Sequence, residues 1–326
     1  MKKILIFGAT GDTGKYLVDY LQTHLDLTRY SILATGRRTT SFFEKRGIQY
    51  YQVDVSDKNA FTKLPRDVYA VVDLAGLMPA RMQGYDPQKY IDVNITGTLN
   101  ILEYCRLANV DRILYTQSFG DIKDWGEVKL NLTVEMPCNF KYNTDHTIYV
   151  MSKNFGVDLL KNYQAMYGIK TFIFRLPTIY LWSPVDTYYV NGKAQKIAYR
   201  ELIDKACKGE TIEIWGDPSR VKDMVYVKDF CQMLCKALQV KGILGGHYNV
   251  GTGRGTSLEN QIKGMVKVFG REGNYSKILY NPNKPNAPQY IMDISNAVKE
   301  LSYQPKYDYI SMLQDFKKEM EMKRFI

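Results

Sequence analysis

With 326 residues, 45% of them hydrophobic and 24% charged, the chain has an ordinary globular composition and is long enough for one large domain plus a smaller appended one. No apolar run approaches the roughly 20 residues of a membrane span, and Ile4 to Phe7 after Met1-Lys2-Lys3 is too short for a signal peptide, so a cytoplasmic protein without a membrane partner is expected. The 44 Lys and Arg against 34 Asp and Glu give a net charge of +10, but the excess is dispersed, which argues against nucleic acid as a partner and suits polyanionic small ligands.

In chain order, the first half alternates strand-like and helical patterns. Lys3 to Phe7 is followed by a helical pattern from Lys15 to His24; Ser31 to Thr35 and Tyr50 to Val55 read as strands; Tyr69 to Leu74 precedes a helical pattern from Gln88 to Ala108; Arg112 to Thr116 is again a strand. A helix from about Thr147 to Tyr167, stopped by Gly168, leads into a strand from Ile169 to Leu176. Strands alternating with helices predict an α/β fold with a doubly wound parallel sheet over residues 1–176. After Pro177, frequent Pro and Gly break the chain into short pieces, which places a smaller, interleaved α/β substrate domain in residues 177–326, with a returning strand near 246–250. The five cysteines form no CxxC pair and, with three histidines in the chain, no metal site is expected.

The first strand runs into Gly8-Ala9-Thr10-Gly11-Asp12-Thr13-Gly14 and then a helix. In that context glycines let the backbone approach a pyrophosphate, while free N–H groups and the helix dipole favour its charge. The spacing is GxxGxxG, so a purely structural turn is the alternative, and Gly251-Thr252-Gly253-Arg254-Gly255 is a second glycine-rich run without that spacing. At the end of the second strand an acidic residue would bond ribose hydroxyls; here Arg37 and Arg38 stand without a nearby carboxylate and favour NADP over NAD, unless both are merely solvated. Asp54, before Val55, is placed to reach the adenine, although an ordinary strand-end Asp looks no different.

Tyr149 and Lys153 are four apart on one helix face. A nearby ammonium stabilises phenolate, which lets a tyrosine exchange a proton with a carbinol or carbonyl during hydride transfer, and a serine hydroxyl can hold the same oxygen. The spacing recurs at Tyr85/Lys89, Tyr189/Lys193 and Tyr280/Lys284, each interrupted by Pro or Gly. Position separates the first pair from the rest, because it follows the strand that carries Ser118 at its carboxyl end, where doubly wound sheets bind ligands.

With these motifs in order, the chain resembles the extended short-chain dehydrogenase/reductases, in particular the nucleotide-sugar epimerases and dehydratases. The resemblance rests on Gly8 to Gly14, Asp54-Val55, Asp73-Leu74-Ala75-Gly76, Asn94 to Asn100, Ser118, Tyr149 with Lys153, and Tyr248 to Gly253. It implies a Rossmann domain that binds NAD(P) through Gly8, Gly11, Asp12, Thr13, Gly14, Arg37, Arg38, Asp54, Val55, Ala75, Gly76, Asn94, Tyr149, Lys153 and Pro177. It also implies Ser118, Tyr149 and Lys153 as the catalytic set, a nucleotide-sugar substrate, and a helix-mediated homodimer. Gln117-Ser118-Phe119-Gly120 lacks the acid–base residues of the dehydratases, which argues against elimination. The family motif whose arginine grips the diphosphate reads Lys222-Asp223-Met224-Val225-Tyr226-Val227, so Lys222, with Arg220 two residues before it, is the candidate phosphate contact. Thr178, in Thr178-Ile179-Tyr180, marks the substrate side, and the irregular segment between Trp125 and His146 is a candidate rim.

Three functions follow. The first is a nucleotide-sugar epimerase working through a transient ketone; the second is an NADPH-dependent ketoreductase of a nucleotide-linked keto-sugar or related carbonyl, which the arginine pair favours. The third, a non-catalytic dinucleotide sensor, has no use for Ser118, Tyr149 and Lys153.

Overall fold

Seven parallel strands form the centre of the computed structural model, which describes residues 1–190 and 192–325. They are β1 (Lys2–Phe7), β2 (Tyr30–Gly36), β3 (Gln49–Gln52), β4 (Val68–Asp73), β5 (Arg112–Ser118), β6 (Lys170–Leu176) and β7 (Gly245–Asn249), in the spatial order β7-β6-β5-β4-β1-β2-β3. The order in which successive strands are added reverses between β1 and β4, and at that switch point the carboxyl ends of the parallel strands open a crevice. Alternate side chains of each strand enter separate cores. Ile4 and Ile6 of β1, Ala70 and Val72 of β4 and Phe172 and Phe174 of β6 pack against α1 (Asp12–His24) and a helix at Val227–Gln239. Leu5, Phe7, Val71, Ile113 and Ile173 pack on the other face against α2 (Gly97–Leu107) and α3 (Thr147–Tyr167). Burial on both faces explains the nearly continuous apolar runs of the inner strands.

Two elements differ from the sequence reading. The strand expected over Tyr50 to Val55 ends at Gln52, because Asp54 turns back to accept hydrogen bonds from Ser56 N (3.0 Å) and Ser56 Oγ (2.7 Å). The helix expected from Gln88 to Ala108 is broken into a short turn at Pro87–Tyr90, a π-helical segment at Ile91–Thr96, and α2. Gly97 there presses so closely on Val55 that a Cβ would lie 2.7 Å from Val55 Cγ2, and Asn94 turns inward. π segments often mark functional sites.

Beyond Pro177 the strands are short: Ile179–Tyr180 pairs with Val225–Tyr226, Val221–Asp223 with Gly255–Ser257, and Ile212–Trp215 with Ile278–Asn281. Apolar residues from these strands and from the helices Val227–Gln239 and Tyr309–Glu321 join the core of the α1 face through Tyr226, Phe230 and Phe316, so this part of the chain packs directly on the sheet. Among the described residues no helix is long and apolar enough to cross a membrane.

Candidate active site

Steric necessity accounts for two of the three loop glycines. Gly8 has φ +74°, and a Cβ there would lie 2.7 Å from Leu74 C and Ala75 N, so only glycine lets the ends of β1 and β4 meet. A Cβ at Gly14 would lie 2.5 Å from Gly8 O, which is how α1 starts tight against the loop. Gly11, exposed at the N-cap of α1, has no capping side chain, and Thr13 sits in the first turn. The uncapped helix start is suited to an anion, and the glycine geometry fits a dinucleotide pyrophosphate. Asp12 in the same turn accepts from Arg81 Nη2 at 2.7 Å.

Arg37 and Arg38 follow β2 with exposed side chains that have no ion-pair partner among the described residues. Their backbone is pinned: Gln52 Nε2 donates to Arg37 O (3.1 Å), and the Tyr50 hydroxyl donates to Gly36 O (2.8 Å) and to Arg38 O. The backbone is therefore held at the strand end, while the two exposed guanidinium groups remain open to an anion. Asp54 is committed to its own turn, and Val55 is buried behind Gly97. On the other side of the crevice, Asn94 grips Leu77 through both its amide atoms, with Oδ1 accepting from Leu77 N (2.8 Å) and Nδ2 donating to Leu77 O (3.1 Å), and also donates to Ser152 Oγ (3.0 Å). That clamp fixes Ala75 and Gly76 against the first turns of α3.

The candidate catalytic residues come together here. Ser118 ends β5, with its Oγ accepting from Gly120 N (3.1 Å). Tyr149 lies in the first turn of α3, half-buried; burial raises its hydroxyl above the ordinary tyrosine range, and a hydrogen bond with Ser118 opposes that rise. Lys153, one turn on, is 4% exposed, with Nζ 4.0 Å from the centre of the Tyr115 ring and close to Gly76. Lys153 lies one helical turn from Tyr149, on the side of Tyr115 and Asp73. α3 is also locked to β5 through Tyr115, whose hydroxyl donates to Lys153 O at 3.1 Å and fills the space a side chain at Gly156 would need.

Pro177 is buried and Thr178 exposed, directly after β6. Lys222, on the short strand Val221–Asp223, is half-buried without an ion-pair partner among the described residues, and burial lowers its pKa. A half-buried, uncompensated ammonium favours an incoming anion. Arg220, just before that strand, is already paired: its Nη2 lies 2.5 and 2.6 Å from the two carboxylate oxygens of Glu127. Glu127 belongs to the expected rim, which reaches the site through stacked contacts: Leu132 and Ile122 pack with Tyr290 and Met292, and the Tyr290 ring lies 4.9 Å from that of Phe119, next to Ser118.

Sequence reading missed a buried polar cluster behind Ser118. Gln117 Nε2 donates to Asp121 Oδ2 (2.9 Å) and Asn154 Oδ1 (2.8 Å), its Oε1 meets His247 Nε2 at 2.6 Å, and Arg175 Nη2 donates to Asp121 Oδ2 (3.0 Å). Burial and the Arg175 charge hold His247 near 3, so its imidazole is neutral and donates to the Gln117 carbonyl oxygen. The cluster ties β5, β6, β7 and α3 together one residue from Ser118 and one from Lys153. Its members are scattered from 117 to 247, and no local pattern joins them.

Residues 4–251 match the model of the "NAD dependent epimerase/dehydratase family". The chain belongs to that family. It is 28% identical, over 94% of both chains, to a putative UDP-glucose 4-epimerase of Methanocaldococcus jannaschii. Among solved structures it superposes on a UDP-N-acetylglucosamine 4-epimerase from Bacillus cereus with a TM-score of 0.78 and 19% identity, covering 98% of this chain and 99% of that one. A UDP-glucuronic acid 4-epimerase from Bacillus cereus in complex with NAD gives 0.73 and 22%, covering 97% and 96%. At these identities the structural likeness shows the fold, a Rossmann-type sheet with an interleaved carboxy-terminal part. As a member of this epimerase/dehydratase family, the chain is a nicotinamide-dinucleotide enzyme of the extended short-chain dehydrogenase/reductase type.

Proposed function

We propose that this protein epimerises the sugar of a UDP-linked substrate. The observation that carries the reading is the convergence of Ser118, Tyr149 and Lys153 at the carboxyl ends of β4 and β5, beside a glycine loop built for a pyrophosphate. When bound, the dinucleotide supplies reversible hydride transfer at one sugar carbon. Gly11 and the start of α1 hold its pyrophosphate, Arg37 and Arg38 flank its adenosine end with Asp54 and Val55, and Ala75, Gly76, Asn94, Lys153 and Pro177 border its nicotinamide end. Tyr149 takes the proton of the sugar hydroxyl and later returns it, Ser118 holds that oxygen, and Lys153 provides the positive field that makes the phenolate accessible. Lys222 and Arg220 hold the diphosphate, with Thr178 on the sugar side, so residues 177–326 act mainly as the substrate domain. The names of the relatives supply the UDP group and the 4-position.

The test is turnover of UDP-glucose, UDP-glucuronate and UDP-N-acetylglucosamine followed by proton NMR. Tyr149→Phe is expected to lose at least about 10²-fold in kcat while dinucleotide affinity stays within about twofold. Undiminished turnover in that variant would remove Tyr149 from the mechanism. The open guanidinium groups of Arg37 and Arg38 support NADP as the preferred dinucleotide, and with it the reductase alternative. Stoichiometric NADPH consumption would replace epimerisation by net reduction.

Exposed Leu99 and Leu107 on α2, with Met151, Phe155 and Met166 on α3, form an apolar helical face that suits a homodimer. Sedimentation equilibrium decides its oligomeric state.

A further inference from the structure

Lys153 and Asp73 are both buried, at 4% and 1% exposure, and among the described residues neither has a charged partner within ion-pair distance. One oxygen of Asp73 accepts from Ala75 N at 3.0 Å; the other, Oδ2, is buried without a hydrogen-bond partner. The Lys153 ammonium makes no hydrogen bond among the described residues. Tyr115 is their common neighbour. It pairs with Asp73 in the β4–β5 register, carries the ammonium over its ring, and donates its hydroxyl to Lys153 O. The ammonium also faces the chain just after Asp73, since a Cβ on Gly76 would lie 3.8 Å from Nζ. A lone buried charge is strongly unfavourable, whereas two of opposite sign a few ångströms apart offset each other's desolvation.

We infer that Asp73 is a positioning residue for the reaction, the counter-charge that keeps Lys153 an ammonium ion in the dehydrated floor of the site. The inference rests on the catalytic reading given above for Lys153. Burial lowers Lys153 to about 8 against the pull of Asp73, and raises Asp73 to about 6 against the pull of Lys153, so both are ionised between those values. The other titratable groups facing the pair are Tyr115 on β5, Cys105 on α2 and Tyr149 on α3, and burial pushes each of them upward, so none competes as a charge near neutral pH. The free oxygen Oδ2 gives the carboxylate its role. Capping Ala75 N needs an acceptor only, which an amide also provides, whereas holding an ammonium needs the charge.

Asp73→Asn separates the two roles. It keeps the acceptor for Ala75 N and removes the charge. Lys153 acts as the ammonium, which is present below its pKa and lost as pH rises through it. Without Asp73 that pKa falls, so the alkaline limb of the kcat/KM profile on the UDP-sugar should move at least about one unit to lower pH. A limb that stays in place, or a uniform loss at every pH, overturns the inference, since a structural defect alone would produce the latter. The second measurement is the ¹³C titration of the Asp73 carboxyl in Lys153→Met against wild type, where loss of the ammonium should raise the midpoint above about 6; an unmoved midpoint overturns the pairing even if Asp73→Asn does not fold. If wild type turns over no UDP-sugar, the proposed function fails, while the carboxyl titration still tests the pair.

Discussion

The loops Gly8–Gly14 and Gly251–Gly255 are both glycine-rich, and both leave the carboxyl end of a strand of the parallel sheet. In the second, the amides are already occupied. Asp223 Oδ1 accepts from Thr252 N (2.8 Å) and Thr252 Oγ1 (2.6 Å), while Oδ2 accepts from Gly253 N (3.1 Å) and Met292 N (3.2 Å). Asp223 is fully buried, and burial raises its carboxyl despite these four bonds. In the first, no side chain caps the start of α1. A backbone nest of this kind takes either an internal carboxylate or a ligand anion. The chain fills one and leaves the other uncapped, open to the dinucleotide proposed above, a distinction that glycine content alone does not carry.

Three substitutions sharpen that contrast. The largest effect is expected from Asp223→Ala, which strands four donors and should lower folding stability by about 3 kcal/mol or more, read as a fall in Tm or in the denaturant midpoint, with dinucleotide affinity of the folded protein unchanged. If stability holds, the internal carboxylate is not what closes the second loop. Gly14→Ala comes next. A methyl group 2.5 Å from Gly8 O forces the loop away from α1, at about 1–3 kcal/mol of stability, and here calorimetry should show dinucleotide affinity falling as well. Equal affinity in that variant would mean the loop does not grip the pyrophosphate. The smallest change is Arg37→Ala, which leaves the loop intact and should weaken NADP about fivefold more than NAD, roughly 1 kcal/mol, with equal losses counting against a 2′-phosphate contact.

Much of the fold is legible locally. Gly168, at φ +70°, ends α3 where a helix stop was read, and the apolar runs of β1, β4 and β6 show their two-sided burial directly. The early end of β3 was not legible, because Asp54 chooses between reaching outward and closing its own turn, and residue type does not decide between them. Nor was the break at Ile91–Thr96, which the packing of Gly97 on Val55, 42 residues earlier, imposes on an otherwise helical pattern.

The site divides in the same way. Gly8, Gly14 and the Tyr149–Lys153 pair are set by constraints a few residues long, namely φ, close backbone approach and helical spacing, and such constraints can be read from sequence alone. The partners of those groups cannot. Asp73 facing Lys153, Gln117 binding His247, Glu127 on Arg220 and Asp223 in the second glycine loop join positions 29 to 130 residues apart. Sequence determined which backbone turns and side-chain chemistries this protein possesses. Only the tertiary structure decided which charges are buried together, because desolvation and Coulomb attraction depend on distances in space that chain order does not encode.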